Sequence, residues 1–118
     1  MRRPPSIDSY GGGGFRVSGD WRDGSLLILD DEPRSWEVAA MDELTPAAFE
    51  AVLAADPAVV ELVLLGTGQT QALPPTAVRE RLGARRIGLE FMSTEAAART
   101  YNVLAAEGRR IAAALIAI

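Results

Sequence analysis

Two runs of apolar side chains restrict the folds open to this chain more than anything else in it. Residues 59–65 read VVELVLL, and the end of the chain, residues 109–118, reads RRIAAALIAI. Neither run alternates apolar with polar residues, so neither suits a strand with one face in water. Each has the pattern of a strand covered on both faces, and the second is too apolar for a sheet edge, which places it at the centre. A membrane-spanning helix needs roughly 18 or more consecutive apolar residues, and both runs fall short of that.

The segment between these runs organises the rest. Residues 86–91 are a further strand candidate, with Ile87, Leu89 and Phe91 on one side and Gly88, Glu90 and Met92 on the other. A short helix is predicted over residues 76–82, opened by Pro74, Pro75 and Thr76 and closed by Gly83. Two strands joined by a helix of that length form a right-handed crossover and run parallel. Their C-terminal ends then meet at one rim, where Gly66, Thr67 and Gly68 face Met92, Ser93 and Thr94. In open α/β sheets that rim is where ligands bind. The longest helix follows: Ser93 or Thr94 caps it, Glu95 lies in its first turn, Ala97, Tyr101, Leu104 and Ala105 form its apolar stripe, and Gly108 stops it.

The first 14 residues read as an irregular arm, since Pro4, Pro5 and the four glycines at 11–14 disfavour helix and strand, and residues 15–118 read as one α/β domain. A hairpin is predicted from residues 15–17 and 25–29, and a third strand at 35–39 with Trp36 and Val38 on one face. Asp30, Asp31 and Glu32 lack the alternating spacing of a calcium loop, and Pro33 after them indicates an exposed turn. Leu44, Thr45 and Pro46 open a helix to about residue 55, with Thr45 as its cap, Leu44 stapled onto Phe49, and Phe49, Val52 and Leu53 buried.

Residue types that are missing narrow the chemistry. The chain contains no Cys and no His, and all 12 cationic side chains are Arg. Disulfides, thiolate nucleophiles, Cys/His zinc sites, imidazole bases and Schiff-base lysines are thereby excluded, and no cofactor or metal is expected. A formal charge of −4 argues against a general nucleic-acid or anionic-membrane surface, although Arg85 with Arg86 and Arg109 with Arg110 can form a local basic patch. The N-terminal residues lack an apolar signal core, so the expected location is a bacterial-type cytoplasm, peripheral to the inner membrane if the chain serves a membrane complex.

Three features compete as a site. The rim of Gly66, Thr67, Gly68, Ser93 and Thr94 offers backbone N–H groups and hydroxyls beside a helix N-terminus, suited to an anion or polar tail; the same residues are also what ordinary strand-to-helix turns require. Glu90, Arg99, Tyr101, Asn102 and Arg109 are the polar residues around the long helix, and Met92 beside Glu90 lines a pocket or fills the core. Glu90 is expected to be half-buried, partnered by Arg99, Arg109 or a backbone turn, or else poised as a general base. Catalysis has weak support, because no second catalytic group accompanies Glu90.

The residues that carry a family resemblance are Ile7, Tyr10, Phe15 and Gly19, then Gly66, Thr67 and Gly68 with Pro74. Above all they are the run of residues 90–94 (EFMST) followed by Ala97, residues 99–104 (RTYNVL) and residues 107–110 (EGRR). With these the chain resembles a domain family of unknown function that includes the mitochondrial assembly factor 3 of NADH:ubiquinone oxidoreductase, respiratory complex I. The resemblance covers residues 7–118. It implies a three-layer α/β fold of α+β character, with a mixed central sheet of about five strands, packed helices, a β-hairpin region to one side, and a last strand antiparallel to its neighbours. It also implies a non-enzymatic assembly or scaffold role without a cofactor, and protein partners such as respiratory-complex subunits or other assembly factors. The alternative from the residues themselves is a protein that binds a small ligand at the rim.

Overall fold

The computed structural model of the chain describes residues 2–118. Its strands are β1 (Ile7–Gly11), β2 (Gly14–Val17), β3 (Asp20–Asp23), β4 (Ser25–Leu29), β5 (Glu32–Trp36), β6 (Leu62–Gly66), β7 (Gly88–Met92) and β8 (Ile111–Leu115). Its helices are α1 (Glu50–Ala54), α2 (Thr76–Ala84) and α3 (Thr94–Ala106). A five-stranded sheet has the order β5-β4-β8-β6-β7, and β1, β2 and β3 form a separate antiparallel meander. The two apolar runs are therefore neighbours at the middle of the larger sheet, β6 and β8 pairing in parallel from Leu62 with Ile111 to Gly66 with Leu115.

Both faces of that sheet are covered, as the lack of alternation requires. Leu27, Leu29, Val63, Leu65, Ala112 and Ala114 belong to the core under α1 and α2. Their sequence neighbours Leu26, Ile28, Leu62, Leu64, Ala113 and Leu115 belong to the core under α3 and the small sheet. The period-two split of one continuous apolar run between two cores is what a central strand of a three-layer α/β fold shows. β7 runs parallel to β6, as the strand–helix–strand order predicts.

Several local readings change. Residues 7–11 are strand β1 and not part of an irregular arm. Gly12 and Gly13, with φ of +64° and +85°, make a two-residue turn that lays β2 back on β1. Both central positions of such a turn need positive φ, so glycines that break a strand from within make a hairpin at its end. The predicted pairing of residues 15–17 with 25–29 does not form. β2 pairs with β1 and β3, whereas β4 pairs with β5 and β8. The reason is burial: all five residues of β4 are buried, a demand that a hairpin with one wet face cannot meet. Asp30 and Asp31, with φ of +51° and +62°, form the two-residue turn between β4 and β5. The last strand is antiparallel to β4 but parallel to β6, so the resemblance is corrected on that point.

The helix predicted from Pro46 starts as a 3-10 turn, Pro46–Phe49, before α1, and Thr45 makes no side-chain cap. Phe49, Val52 and Leu53 are buried as expected, and Trp36 packs its ring on Phe49 and donates Nε1 to Ala48 O at 2.9 Å. α2 runs through Gly83, and the residue that turns left-handed after it is Arg86, φ +58°. There Ile87 N donates to Leu82 O and Arg86 N to Gly83 O, the same paired closure that Arg109 N to Leu104 O and Gly108 N to Ala105 O make after α3. Only the second closure uses glycine.

Candidate functional site

At the C-terminal rim of β6 and β7 the expected residues do come together. Thr67 N donates to Met92 O at 2.8 Å, and Thr94 N to Gly68 O at 2.9 Å. The Thr94 hydroxyl accepts from Gly68 N at 3.0 Å and donates to Ile116 O at 2.7 Å. Thr67 Oγ1 lies 2.7 Å from Thr70 O and 3.0 Å from Met92 O, and it accepts from Ala72 N at 3.1 Å. Ser93 is the residue that caps α3, its Oγ accepting from Ala96 N at 3.3 Å. Thr94 is wholly buried and Thr67 nearly so.

Glycine at 66 lets this happen. A Cβ there would stand 2.9 Å from Leu115 Cδ2, 2.9 Å from Thr94 Oγ1 and 3.0 Å from Thr94 Cα, so any side chain would push the start of α3 off the sheet. Gly68, at φ +110°, then turns its N–H and C=O onto Thr94. The rim is thus a clasp that ties β6, β7, α3 and the end of β8, and its hydroxyls are committed to backbone partners. Open clefts lie around α1 and α2, and no rim residue lines these.

The other predicted residues scatter. Glu90 lies in the middle of β7, which is an edge strand, so its carboxylate is exposed and makes no ion pair among the described residues. The expectation of a half-buried Glu90 paired with Arg99 or Arg109 fails because β7 has no neighbour on its outer side. Arg99 meets Glu95 instead, 3.4 Å away and one helical turn back, an exposed pair. Arg109 precedes β8, at the opposite end of the sheet from the rim, and donates Nε to Glu61 at 2.6 Å; that hydrogen bond raises its already high pKa. Met92 is half-buried against the core under α3, with the Thr100 hydroxyl 3.6 Å from its sulfur.

Asn102 and Tyr101 have structural surroundings. The Asn102 amide accepts from Ile7 N at 2.9 Å and donates to Ile7 O at 2.8 Å, so it caps the outer edge of β1 as another strand would. Tyr101 is 1% exposed, and its hydroxyl has no hydrogen-bond partner among the described residues. Burial, reinforced by the nearby Asp31 carboxylate and opposed by Arg2, pushes that phenol far above its ordinary range, so it stays neutral.

The sequence reading missed the role of Arg2. Its guanidinium donates to both carboxylate oxygens of Asp31 at 2.9 Å and to the carbonyls of Gly108 and Arg109 at 3.0 and 3.3 Å. It ties the segment before β1, the β4–β5 turn and the carbonyls after α3 together, and the hydrogen bonds it donates to Asp31 raise its pKa. No local signal marks this, because its three partners are distant in sequence.

The architecture is that of a three-layer α/β protein whose rim threonines bond to backbone groups of neighbouring elements. Within that class, the chain belongs to the family described as Protein of unknown function (DUF498/DUF598), whose model matches residues 7–116. An uncharacterised protein of Rhodobacter capsulatus is 41% identical over 110 residues, covering 93% of this chain and 82% of that protein. NADH dehydrogenase (ubiquinone) 1 alpha subcomplex assembly factor 3 of Bos taurus is 35% identical over 111 residues, 93% of this chain and 59% of its own length. The chain thus spans about three fifths of that relative. Among solved structures, an outer membrane protein from Bartonella henselae superimposes with a TM-score of 0.90 at 35% identity, over 97% of this chain and 95% of the other. No helix among the described residues is long and apolar enough to cross a membrane.

Proposed function

We propose that this chain is a non-catalytic interaction protein that assists the biogenesis of a respiratory, complex I-like membrane complex, working at the periphery of the inner membrane. The observation that carries the reading is the 35% identity with complex I assembly factor 3 across 93% of the chain. The chemistry of the chain supports it: no Cys, His or Lys is available, and the rim hydroxyls are spent on backbone carbonyls and amides. Of the residues first singled out as a site, Glu90 and Arg99 keep exposed side chains that can meet a partner.

The test is affinity capture of the tagged full chain from its native cell, with complex I quantified in a deletion strain. Co-purification of complex I subunits or other assembly proteins, with complex I reduced in the deletion strain, is the expected result. Capture of unrelated soluble proteins only, with complex I at its normal level, would overturn the reading.

A further inference from the structure

The two sheets have four outer strands, and three of them are protected. β1 is capped by the Asn102 amide on Ile7. β3 is four residues long with Asp20 and Asp23 at its ends. In β5, which pairs Glu32 with Leu29 across the turn, Pro33 is a residue whose backbone faces outward, and it has no N–H to offer. Short length, charge and proline are the ordinary ways by which proteins close a sheet edge to further strands.

β7 has neither a side-chain cap nor a proline, and its one charged residue, Glu90, is a group that a partner strand can answer with an opposite charge. Gly88 N donates to Glu61 O at 3.0 Å and Met92 O accepts from Thr67 N at 2.8 Å, so Gly88, Glu90 and Met92 turn their backbone groups toward β6. Leu89 and Phe91, one step out of phase, turn their N–H and C=O groups away from the sheet, and these meet no other partner among the described residues. At the N-terminal end of this edge, Pro57, Val60 and Ile87 floor a cleft of about 350 Å³ bordered by Arg85, Arg86 and Glu61. Arg86 has no ion pair among the described residues, and its left-handed backbone conformation holds it at the turn into β7.

From this edge we infer that β7 is the docking strand for an extended segment of another protein, which adds as a sixth strand to the large sheet. That segment carries a basic residue opposite Glu90 and an acidic residue beside Arg85 and Arg86. This inference rests on the interaction role proposed above. Charge selects the occupant. A second copy pairing antiparallel about Glu90 would set two Glu90 carboxylates directly opposite each other, in a pair whose Cα atoms lie only about 4.5 Å apart. An anionic membrane would meet the −4 charge of the whole chain, whereas a short acidic segment feels mainly charges within the screening length of about 8 Å, here Arg85 and Arg86 with Glu61, whose carboxylate Arg109 already pairs.

The probe is a blocked nine-residue peptide of alternating Val and Thr with a central Arg and two Glu at one end, compared with a version in which Arg and Glu are exchanged. Amide hydrogen exchange of the full chain is the readout. With the first peptide, exchange at Leu89 and Phe91 should slow by at least tenfold, while the exchanged peptide has no effect. Arg85→Glu with Arg86→Glu, both exposed positions, should abolish the protection in a protein of unchanged circular dichroism; Leu89→Pro removes an outward N–H as a second block. No protection at millimolar peptide, equal protection by both peptides, or protection that grows with protein concentration in the absence of peptide would each overturn the proposal. If complex I subunits are captured equally by wild type and the doubly reversed variant, the edge is wrong and the assembly role stands. If the peptide protects β7 but no complex I subunit is ever captured, the edge stands and the assembly role falls.

Discussion

Replacing Thr94 by valine keeps the shape of a wholly buried side chain and deletes one hydroxyl, which isolates the clasp at the rim. That hydroxyl serves Ile116 O at 2.7 Å and Gly68 N at 3.0 Å. Ile116 is buried, so its stranded carbonyl should cost about 1–3 kcal/mol; Gly68 is half-buried, and its amide, with some access to water, adds about 1 kcal/mol. The expected loss for Thr94→Val is about 2–4 kcal/mol. Thr94→Ser keeps both hydrogen bonds and loses one methyl, which costs about 1 kcal/mol. Urea unfolding followed by circular dichroism reads the difference: with a slope of about 2 kcal/mol/M, the valine midpoint falls by roughly 1–2 M and the serine midpoint by about 0.5 M. A valine variant within about 0.5 kcal/mol of wild type, or a serine variant less stable than valine, would refute the idea that the rim is held by this hydroxyl.

Three further outcomes can be checked. Gly66→Ala places a methyl within 3.0 Å of Thr94 Cα, an atom that moves only if α3 moves, so it should cost about 1–3 kcal/mol in the same assay; a neutral result would mean that the helix start shifts freely. Tyr101→Phe removes a buried hydroxyl that has no partner, so thermal unfolding should show equal stability or a gain of up to about 1 kcal/mol, and a comparable loss would reveal a hidden partner for that oxygen. Asp8, whose carboxylate accepts from the Ser6 hydroxyl and from Gly19 N, has its pKa held below the ordinary range of an aspartate by those two hydrogen bonds. A depressed folded pKa means that its contribution is complete above about pH 4 and is lost as the pH falls through the folded value, so wild type should lose stability more steeply than Asp8→Asn below pH 4. Parallel acid profiles would remove Asp8 from the account.

How much could be read in advance depended on the range of the interaction. Val63, Leu65, Ala112 and Ala114 on one face, and Leu62, Leu64, Ala113 and Leu115 on the other, announce two covered faces through composition alone. The rim formed by Gly66, Thr67, Gly68, Ser93 and Thr94 was legible too, because strand–helix–strand order makes β6 and β7 parallel and sends both C-terminal ends one way. Glu90 was misread. A carboxylate between apolar neighbours reads as half-buried, but the strand order leaves β7 without a neighbour, and strand order is set by which strands can bury both faces.

The sequence by itself determined the elements that depend on near neighbours: the periodicity of β6, β8 and α3, the start of α3 at Ser93 or Thr94 and its stop at Gly108, and the exclusion of thiol, imidazole and lysine chemistry. Tertiary structure alone decided what those elements are for. It placed β4 beside β8 and away from β2, set Arg2 against Asp31, aimed Asn102 at Ile7, turned the Thr94 hydroxyl inward and left the edge of β7 open. Each of those joins residues from 22 to 95 positions apart or depends on which strands occupy the centre of the sheet. Local propensity fixes which conformations a segment favours, whereas such long-range pairings are settled only when the strands compete for burial.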